Sequence, residues 1–183
     1  MKKIFSILFV VVFAFSFANA QSKMSLGVGG NLALPMGSFG DVSSMGFGGG
    51  AKFEYAFSDN IVSTVSVQYL MFGAKDDRTG VSWSIIPVIV GAKYYFGSSF
   101  YTMAESGMNF WTSKVKIPEV RIGGMVIIPE QEESISDSDF GFAFGAGYEL
   151  ALGNNALDLS VKYQNYAKET NAINFGVAYK FSF

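Results

Sequence analysis

The chain has 183 residues, of which half are hydrophobic, 16% aromatic and 15% charged, and it contains neither cysteine nor histidine. So much apolar and aromatic content excludes a disordered protein. The missing cysteine and histidine exclude disulfide scaffolds, thiol nucleophiles and every mechanism that needs an imidazole. The formal net charge is −2, so no basic surplus neutralises phosphates, and nucleic acid is not expected as a partner. The length allows one domain, or two very small ones.

The first twenty residues have the pattern of a secretory signal peptide. Two lysines precede an apolar run over residues 4–17, and residues 18–20 supply a small-x-small cleavage pattern. The run is short for a helix that spans a bilayer, which needs about 20 residues. We therefore predict a signal peptide over 1–20 and a single domain over 21–183.

After the signal peptide, large apolar residues alternate with small or polar ones at a spacing of two, which is the period of a β-strand. In the last segment Phe175, Val177 and Tyr179 alternate with glycine, alanine and lysine. Two segments are less regular, and there Lys93 and Glu105 alone indicate which face is polar. Eight segments are predicted as strands: 24–34, 46–57, 60–72, 81–96, 100–112, 139–150, 156–166 and 172–183.

The connections between these segments alternate in length, as expected for an up-and-down antiparallel meander. Short turns are predicted near 58–59, 97–99 and 153–155, and mostly longer, more polar connections near 35–45, 73–80, 113–138 and 167–171. The fold class is therefore all-β, an eight-stranded antiparallel up-and-down barrel.

Such a barrel closes in one of two ways. A soluble, secreted, lipocalin-like ligand-binding barrel turns its apolar face inward, whereas a transmembrane β-barrel turns it toward lipid. The interior of eight strands holds only packed side chains, so we predict that the bulky aromatic face contacts outer lipid and the small residues lie inside.

Aromatic residues are predicted to form a girdle at each membrane interface, where amphipathic rings prefer to lie. One rim collects Tyr55, Phe57, Tyr94, Tyr95, Phe96, Phe100, Tyr101, Tyr148, Phe181 and Phe183. The other collects Phe47, Tyr69, Phe72, Trp83, Phe110, Trp111, Phe140, Tyr163 and Tyr166.

Eight charged residues fall on the inward phase of the predicted strands. They are Lys52, Glu54, Lys93, Glu105, Glu149, Asp158, Lys162 and Lys180. Their charges balance, which favours a structural ion-pair network that keeps charge away from lipid; a selective polar path through the lumen is the alternative.

The final strand ends in Tyr179-Lys180-Phe181-Ser182-Phe183. Together with the signal peptide and the eight segments, it resembles bacterial outer-membrane β-barrel proteins, and residues 30–39 are similar to the first strand and loop of small porin-like barrels. The resemblance implies a location in the bacterial outer membrane, in contact with its lipid. It also implies that the outer-membrane assembly machinery reads Tyr179, Phe181 and Phe183.

The longest connection, over 113–138, contains further strand-like sequence. Residues alternate in polarity over 114–117 and over 119–122, and residues 125–128 are apolar. We predict strands here that extend above the membrane, with Gly123-Gly124 as a tight turn. Pro118 and Pro129 are predicted to limit sheet pairing. An exposed strand edge here offers a site for an extracellular partner. The candidate interaction residues are Lys116, Arg121, Ile122, Met125 and Ile127.

Neither a cofactor nor a metal site is predicted. The acidic cluster Glu130, Glu132, Glu133, Asp137 and Asp139 lacks the glycine-bearing spacing of a calcium loop and is typical of a solvated surface.

The sequence does not favour an enzyme. Outer-membrane barrel enzymes resemble one another in using histidine, which this chain lacks. Asp76 with Asp77, or Glu105, are the remaining acid–base candidates, and residues 76–80 have the composition of a solvated turn. The leading hypothesis is a non-enzymatic barrel with a filled lumen and a structural or surface-interaction role through its extracellular loops. A narrow channel or conduit for small or hydrophobic molecules, and the soluble barrel, are the alternatives.

Overall fold

A computed structural model of the protein describes residues 23–75, 81–117, 120–122, 125–128 and 131–183. The predicted signal peptide over 1–20 lies outside these residues. The elements are β1 (Met24–Met36), α1 (Gly37–Val42), β2 (Gly46–Ala56), β3 (Ile61–Gly73), β4 (Val81–Phe96), β5 (Phe100–Ile117), β6 (Val120–Ile122), β7 (Met125–Ile128), β8 (Gln131–Leu152), β9 (Asn155–Ala167) and β10 (Thr170–Ser182). No helix in this part of the chain has the length and hydrophobicity needed to cross a membrane.

Eight strands close into a barrel in the order β1-β10-β9-β8-β5-β4-β3-β2, and every neighbouring pair is antiparallel. The first and last strands close it, with Leu32 opposite Phe175. The predicted up-and-down barrel is confirmed, and each predicted segment corresponds to one strand. The main differences in length are at β5, which continues to Ile117, and β8, which begins at Gln131.

The predicted inside and outside are also confirmed. Phe175 and Val177 are 45% and 52% exposed on the outer face, while Lys93 and Glu105 are buried inside. The two irregular segments therefore have the phase that their single charged residues indicated. Valine, leucine, isoleucine and phenylalanine from all eight strands face outward, so the barrel is apolar on the outside and polar within.

The narrow curvature brings strands close together at glycines on the inner face. A Cβ added to Gly48 would lie 1.8 Å from the carbonyl oxygen of Tyr69, and one added to Gly91 would lie 2.2 Å from that of Ala104. No larger residue fits there without moving the neighbouring backbone, so these glycines permit the bend of a small barrel.

The two ends of the barrel differ. The start of β1, the end of β10 and the short turns that follow β2, β4 and β8 lie at one end, while α1 and the long β5–β8 connection lie at the other. The connection near 167–171, which was grouped with the longer ones, is a tight turn of Lys168 and Glu169. Glu169 adopts a φ of 64° there, the left-handed conformation of tight turns.

Six aromatic residues assigned to the lipid girdles lie inside the barrel instead. At the loop end, Phe72 and Tyr166 are buried, and Trp83 and Trp111 pack against their cluster. At the turn end, Tyr95 and Tyr101 are buried in the other cluster. For Phe72 and Tyr101, the prediction failed because glycines on the neighbouring strands make room for their rings.

Two such glycines show the complementarity. A Cβ on Gly46 would lie 2.3 Å from the ring of Phe72, and one on Gly147 would lie 2.3 Å from the hydroxyl of Tyr101. The short helix α1 adds Phe39 to the loop-end cluster, where its ring centroid lies 5.2 Å from that of Phe72. Large rings therefore occupy both ends of the lumen.

The outward phase of β10 is testable by placing a charge on the outer face and a small neutral polar group on the inner face. Phe175→Lys and Val177→Lys each put an ammonium on the lipid-facing side, at a cost of about 2–4 kcal/mol near mid-bilayer, whereas Ala178→Ser lies on the inner face. We expect both lysine variants to lower the folded fraction, measured by heat-modifiable migration in detergent gels, and the serine variant to retain it. Equal folding of all three variants would show that the assignment of faces is wrong.

Candidate functional site: a charged lumen and a protruding arm

Lys93, whose side chain is fully buried, is the centre of an ion-pair cluster inside the barrel. Its Nζ lies 2.5 Å from Glu54 Oε1, 2.7 Å from Asp158 Oδ2 and 3.0 Å from Glu149 Oε1. These carboxylates come from three different strands, β2, β9 and β8. One ammonium on β4 therefore ties four strands together across the lumen.

Further donors complete the coordination of these carboxylates. Lys180 pairs with both Glu54 and Glu149. The hydroxyl of Tyr95 donates to Glu149 Oε1 at 2.6 Å, and that of Tyr101 donates to Asp158 Oδ1 at 2.5 Å. The Lys93 ammonium also lies 4.1 Å from the centroid of the Tyr101 ring, a cation–π distance.

A second cluster surrounds Glu105. Its carboxylate lies 3.1 Å from Lys52 Nζ and 3.0 Å from Lys162 Nζ, and it accepts a hydrogen bond of 3.3 Å from Thr64 Oγ1. This cluster has one surplus positive charge and the Lys93 cluster has one surplus negative charge. The two compensate, so the lumen carries no net charge from these residues.

The structure thus brings all eight predicted lumen residues into two connected clusters. Sequence reasoning missed the two tyrosine hydroxyls, because it placed both rings in a lipid girdle. Spacing along the strand could have indicated them. Tyr95 is two residues from Lys93 and Tyr101 is four residues from Glu105, so each tyrosine falls on the same inward face as the charged residue of its strand.

A layer of amides, also missed, separates Glu105 from the aromatic cluster at the loop end. Tyr166 donates its hydroxyl hydrogen to Asn174 Oδ1 at 2.9 Å, and Asn109 Nδ2 donates to the Tyr166 carbonyl at 2.9 Å. Asn174 Nδ2 donates to Gln164 Oε1 at 3.4 Å. Neutral amides carry no charge pattern, so nothing in the sequence singled them out.

A small cavity of about 50 Å³ lies along the glycine-rich wall of β1, β2 and β10. Lys52, Lys162 and Lys180 reach it, as does Gln68, whose Oε1 is buried without a hydrogen-bond partner. A polar space of this size holds a few water molecules.

The three carboxylates around Lys93 also have the proximity that a metal ion requires. Oxygens of Glu54, Glu149 and Asp158 lie within 4.8 Å of one another. The Lys93 ammonium contacts all three, so the cation at this place belongs to the protein itself.

Outside the barrel, β5 and β8 continue as a paired arm, defined here as residues 111–117 of β5 and 131–141 of β8. The two strands remain paired up to Ile117 opposite Gln131. On its other side β5 pairs with β4 up to Val115, whereas β9 pairs with β8 only from Phe142 onward. Among the described residues, 131–141 therefore form an unpaired strand edge, called the β8 edge below.

The five candidate loop residues lie on the β5 half of the arm and on the two strands that follow it. Lys116 is on β5, Arg121 and Ile122 are on β6, and Met125 and Ile127 are on β7, which pairs with β6. The predicted strand pattern is present, but the side chains of these five lie outside the described part of the protein. Outside the described residues altogether are Asp76, Asp77, Pro118, Gly123, Gly124, Pro129 and Glu130.

Comparison with known families decides the class of barrel. The family model described as "Outer membrane protein beta-barrel domain" matches residues 5–181. The chain belongs to this family. It is therefore a bacterial outer-membrane protein, and the outward belt of apolar side chains faces lipid. This excludes the soluble ligand-binding barrel.

Solved structures of the same fold are similar to this protein. Ail, the attachment invasion locus protein of Yersinia pestis, matches with a TM-score of 0.60 at 14% identity, covering 88% of this chain and all of Ail. A complex of Ail with the heparin analogue sucrose octasulfate matches with a TM-score of 0.59 at 15% identity, over 88% and 100%. Neisserial surface protein A matches with a TM-score of 0.57 at 15% identity, over 87% and 97%. The comparison with curated proteins found no match.

The central role of Lys93 can be measured by removing its charge. Lys93→Met leaves three buried carboxylates facing one another, and we expect a loss of about 3–5 kcal/mol in the free energy of unfolding, measured by denaturant titration in detergent. Lys168→Met, in the exposed turn, is the matched control and is expected to change it by less than about 0.5 kcal/mol. Adding Glu149→Gln to Lys93→Met should restore part of the loss. Equal stability of the Lys93 and Lys168 variants would contradict this role.

Proposed function

We propose that this outer-membrane barrel is a non-enzymatic surface protein that contacts extracellular partners through its arm, with the barrel as a closed anchor. The observation that carries the proposal is the length of two strands. A strand crosses the membrane with about 9–11 residues, but β5 has 18 and β8 has 22. The excess lies at one end of the barrel and forms the arm, which has no role in spanning the membrane.

The contents of the lumen support an anchor rather than a conduit. All eight charges have partners of opposite sign, and aromatic clusters occupy both ends. A narrow channel is the second candidate, and the polar cavity beside Gln68 is the observation that favours it. That cavity is small, and the tyrosine cluster at one end of the lumen and the cluster of Phe39 with Phe72 at the other favour a closed path.

The surroundings of Glu105 support a non-enzymatic role. This carboxylate, the described member of the acid–base candidates, is buried and paired with Lys52 and Lys162. A general base has to reach a substrate, and this one faces only the packed lumen.

The final strand supports a proposal about assembly. Tyr179, Phe181 and Phe183 are exposed on the outer face at the end of the chain, so the assembly machinery can reach all three side chains from the lipid side before the barrel is complete. Export by the signal peptide over 1–20 belongs to the same proposal.

The name of Ail describes attachment, and Ail was solved with a sulfated sugar analogue. An extracellular contact is the part of this likeness that supports the present proposal. The β8 edge is acidic and does not favour an anionic ligand of that kind.

Removal of the arm tests the surface role. Thr112 and Ser136 are paired across the arm, so replacing residues 113–135 by Asn-Gly closes a short hairpin between them. We expect the variant to fold as a barrel, since no lumen residue is removed, and to abolish attachment of expressing cells to surfaces coated with extracellular-matrix proteins. The full chain and cells without the protein are the controls. Undiminished attachment by the folded variant would refute the proposal.

The closed lumen is tested by conductance. Purified protein in planar bilayers should show no discrete current steps, because aromatic clusters occupy both ends of the lumen. A large porin inserted in the same bilayers is the positive control. Reproducible single-channel steps would favour the channel instead.

A further inference from the structure

The β8 edge offers backbone hydrogen bonds to a further strand. On any β-strand, successive residues direct their N–H and C=O groups to opposite sides. On residues 131–141, one set of these groups forms hydrogen bonds with β5, and the other set points away from the sheet. A free edge of this length above a membrane is a template for strand addition.

The two faces of the β8 edge differ in chemistry. The register between β5 and β8 runs without a shift from the barrel into the arm. Ser134, Ser136 and Ser138 therefore continue the outer face, where Ser136 Oγ lies 3.0 Å from Thr112 Oγ1. The inner face carries a different set: Glu133, Ile135, Asp137 and Asp139.

The carboxylates on the inner face lie opposite neutral side chains of β5, and Lys114 lies opposite Ser134, in phase with the outer face. Their neighbours on β5 are Val115 opposite Glu133 and Trp111 opposite Asp137, and both are neutral. Trp111 Nε1 donates to Asp139 Oδ2 at 3.2 Å. Ile135 lies between the carboxylates and is 73% exposed, the highest value among the large apolar side chains described as exposed.

From this arrangement we infer that the β8 edge binds an extended cationic segment of an extracellular protein by strand addition. The inference rests on the proposed surface function and names the partner's chemistry. An antiparallel strand would place one side chain opposite each of Asp139, Asp137, Ile135 and Glu133. A complementary partner strand therefore carries a cation opposite each of the three carboxylates and an apolar side chain opposite Ile135.

Antiparallel pairing with a second copy of this chain does not fit the same edge. Two barrels upright in one membrane would bring their β8 edges together in parallel, with their acidic faces on opposite sides of the joined sheet. Copies on two facing membranes would pair antiparallel. When this pairing is centred on Ser136 of each copy, Glu133 of one copy lies opposite Asp139 of the other. Like charges directly opposite one another destabilise a strand pair, so the acidic edge selects against antiparallel self-association.

The test uses the full-length protein in nanodiscs and the extended peptide Lys-Thr-Lys-Thr-Val-Thr-Lys, whose charges match the inner face. Binding is measured by fluorescence anisotropy, and hydrogen exchange reports the protection of residues 131–141. We expect this peptide to bind about tenfold more tightly than its glutamate counterpart, since three exposed ion pairs each contribute a few tenths to about 1 kcal/mol. We also expect slower amide exchange along the β8 edge.

Two controls separate strand addition from simple charge attraction. A peptide with N-methyl groups on alternate residues keeps its charge but loses one hydrogen-bonding edge, so two such peptides with opposite phase should differ in binding. The double variant Glu133→Lys, Asp137→Lys should reverse the preference toward the glutamate peptide. Asp41→Lys, on the exposed surface of α1, is the matched control and should leave the preference unchanged.

Each outcome decides the inference. Peptide binding without amide protection, or equal binding of both N-methylated peptides, would overturn strand addition and leave an acidic surface only. Absence of peptide binding, with attachment that still depends on the arm, would overturn the inference and leave the proposed function intact. Attachment that survives removal of the arm would overturn the proposed function separately.

Discussion

A charge in the wall of this narrow barrel can be satisfied only inside it, since the outer side contacts lipid and the inner side has little room for water. Lys93 and Glu105 meet this constraint with partners from several strands. An isolated buried ion pair contributes little stability. Here the pairs are shared, so removing one member leaves several others uncompensated. The ion pairs therefore specify which strands meet as well as keeping charge from lipid.

The second constraint is volume, and glycine decides how it is met. Two inward glycines leave space for a ring from the neighbouring strand: Phe72 lies over Gly46, and Tyr101 lies over Gly147. The rings in turn supply hydroxyls that the carboxylates need, as Tyr101 does for Asp158. Small residues and large ones thus share the interior, and the packing is a property of pairs of strands.

This pairwise property explains what the sequence could and could not predict. Alternation along a single strand was enough to predict eight strands and their two faces, and Lys93 and Glu105 were enough to orient the two irregular ones. Tyr101 and Phe72 were placed on the wrong face because their room comes from other strands, which periodicity along one segment does not include. The excess length of β8 was missed because Ser134, Ser136 and Ser138 alternate with acidic residues and Ile135, a pattern without the bulky apolar face by which the membrane strands were found.

That same change of character divides β8 into two functional parts. From Phe142 onward the strand has neighbours on both sides and an apolar face for lipid. Before Gly141 it has one neighbour and carries carboxylates on the face that continues the lumen. A neutral, apolar free edge in that place would invite pairing with other copies. The acidic residues oppose antiparallel pairing of two copies by repulsion and, by the same charge, favour a cationic strand. Protection from antiparallel self-association and selectivity for a partner are therefore one feature of the arm.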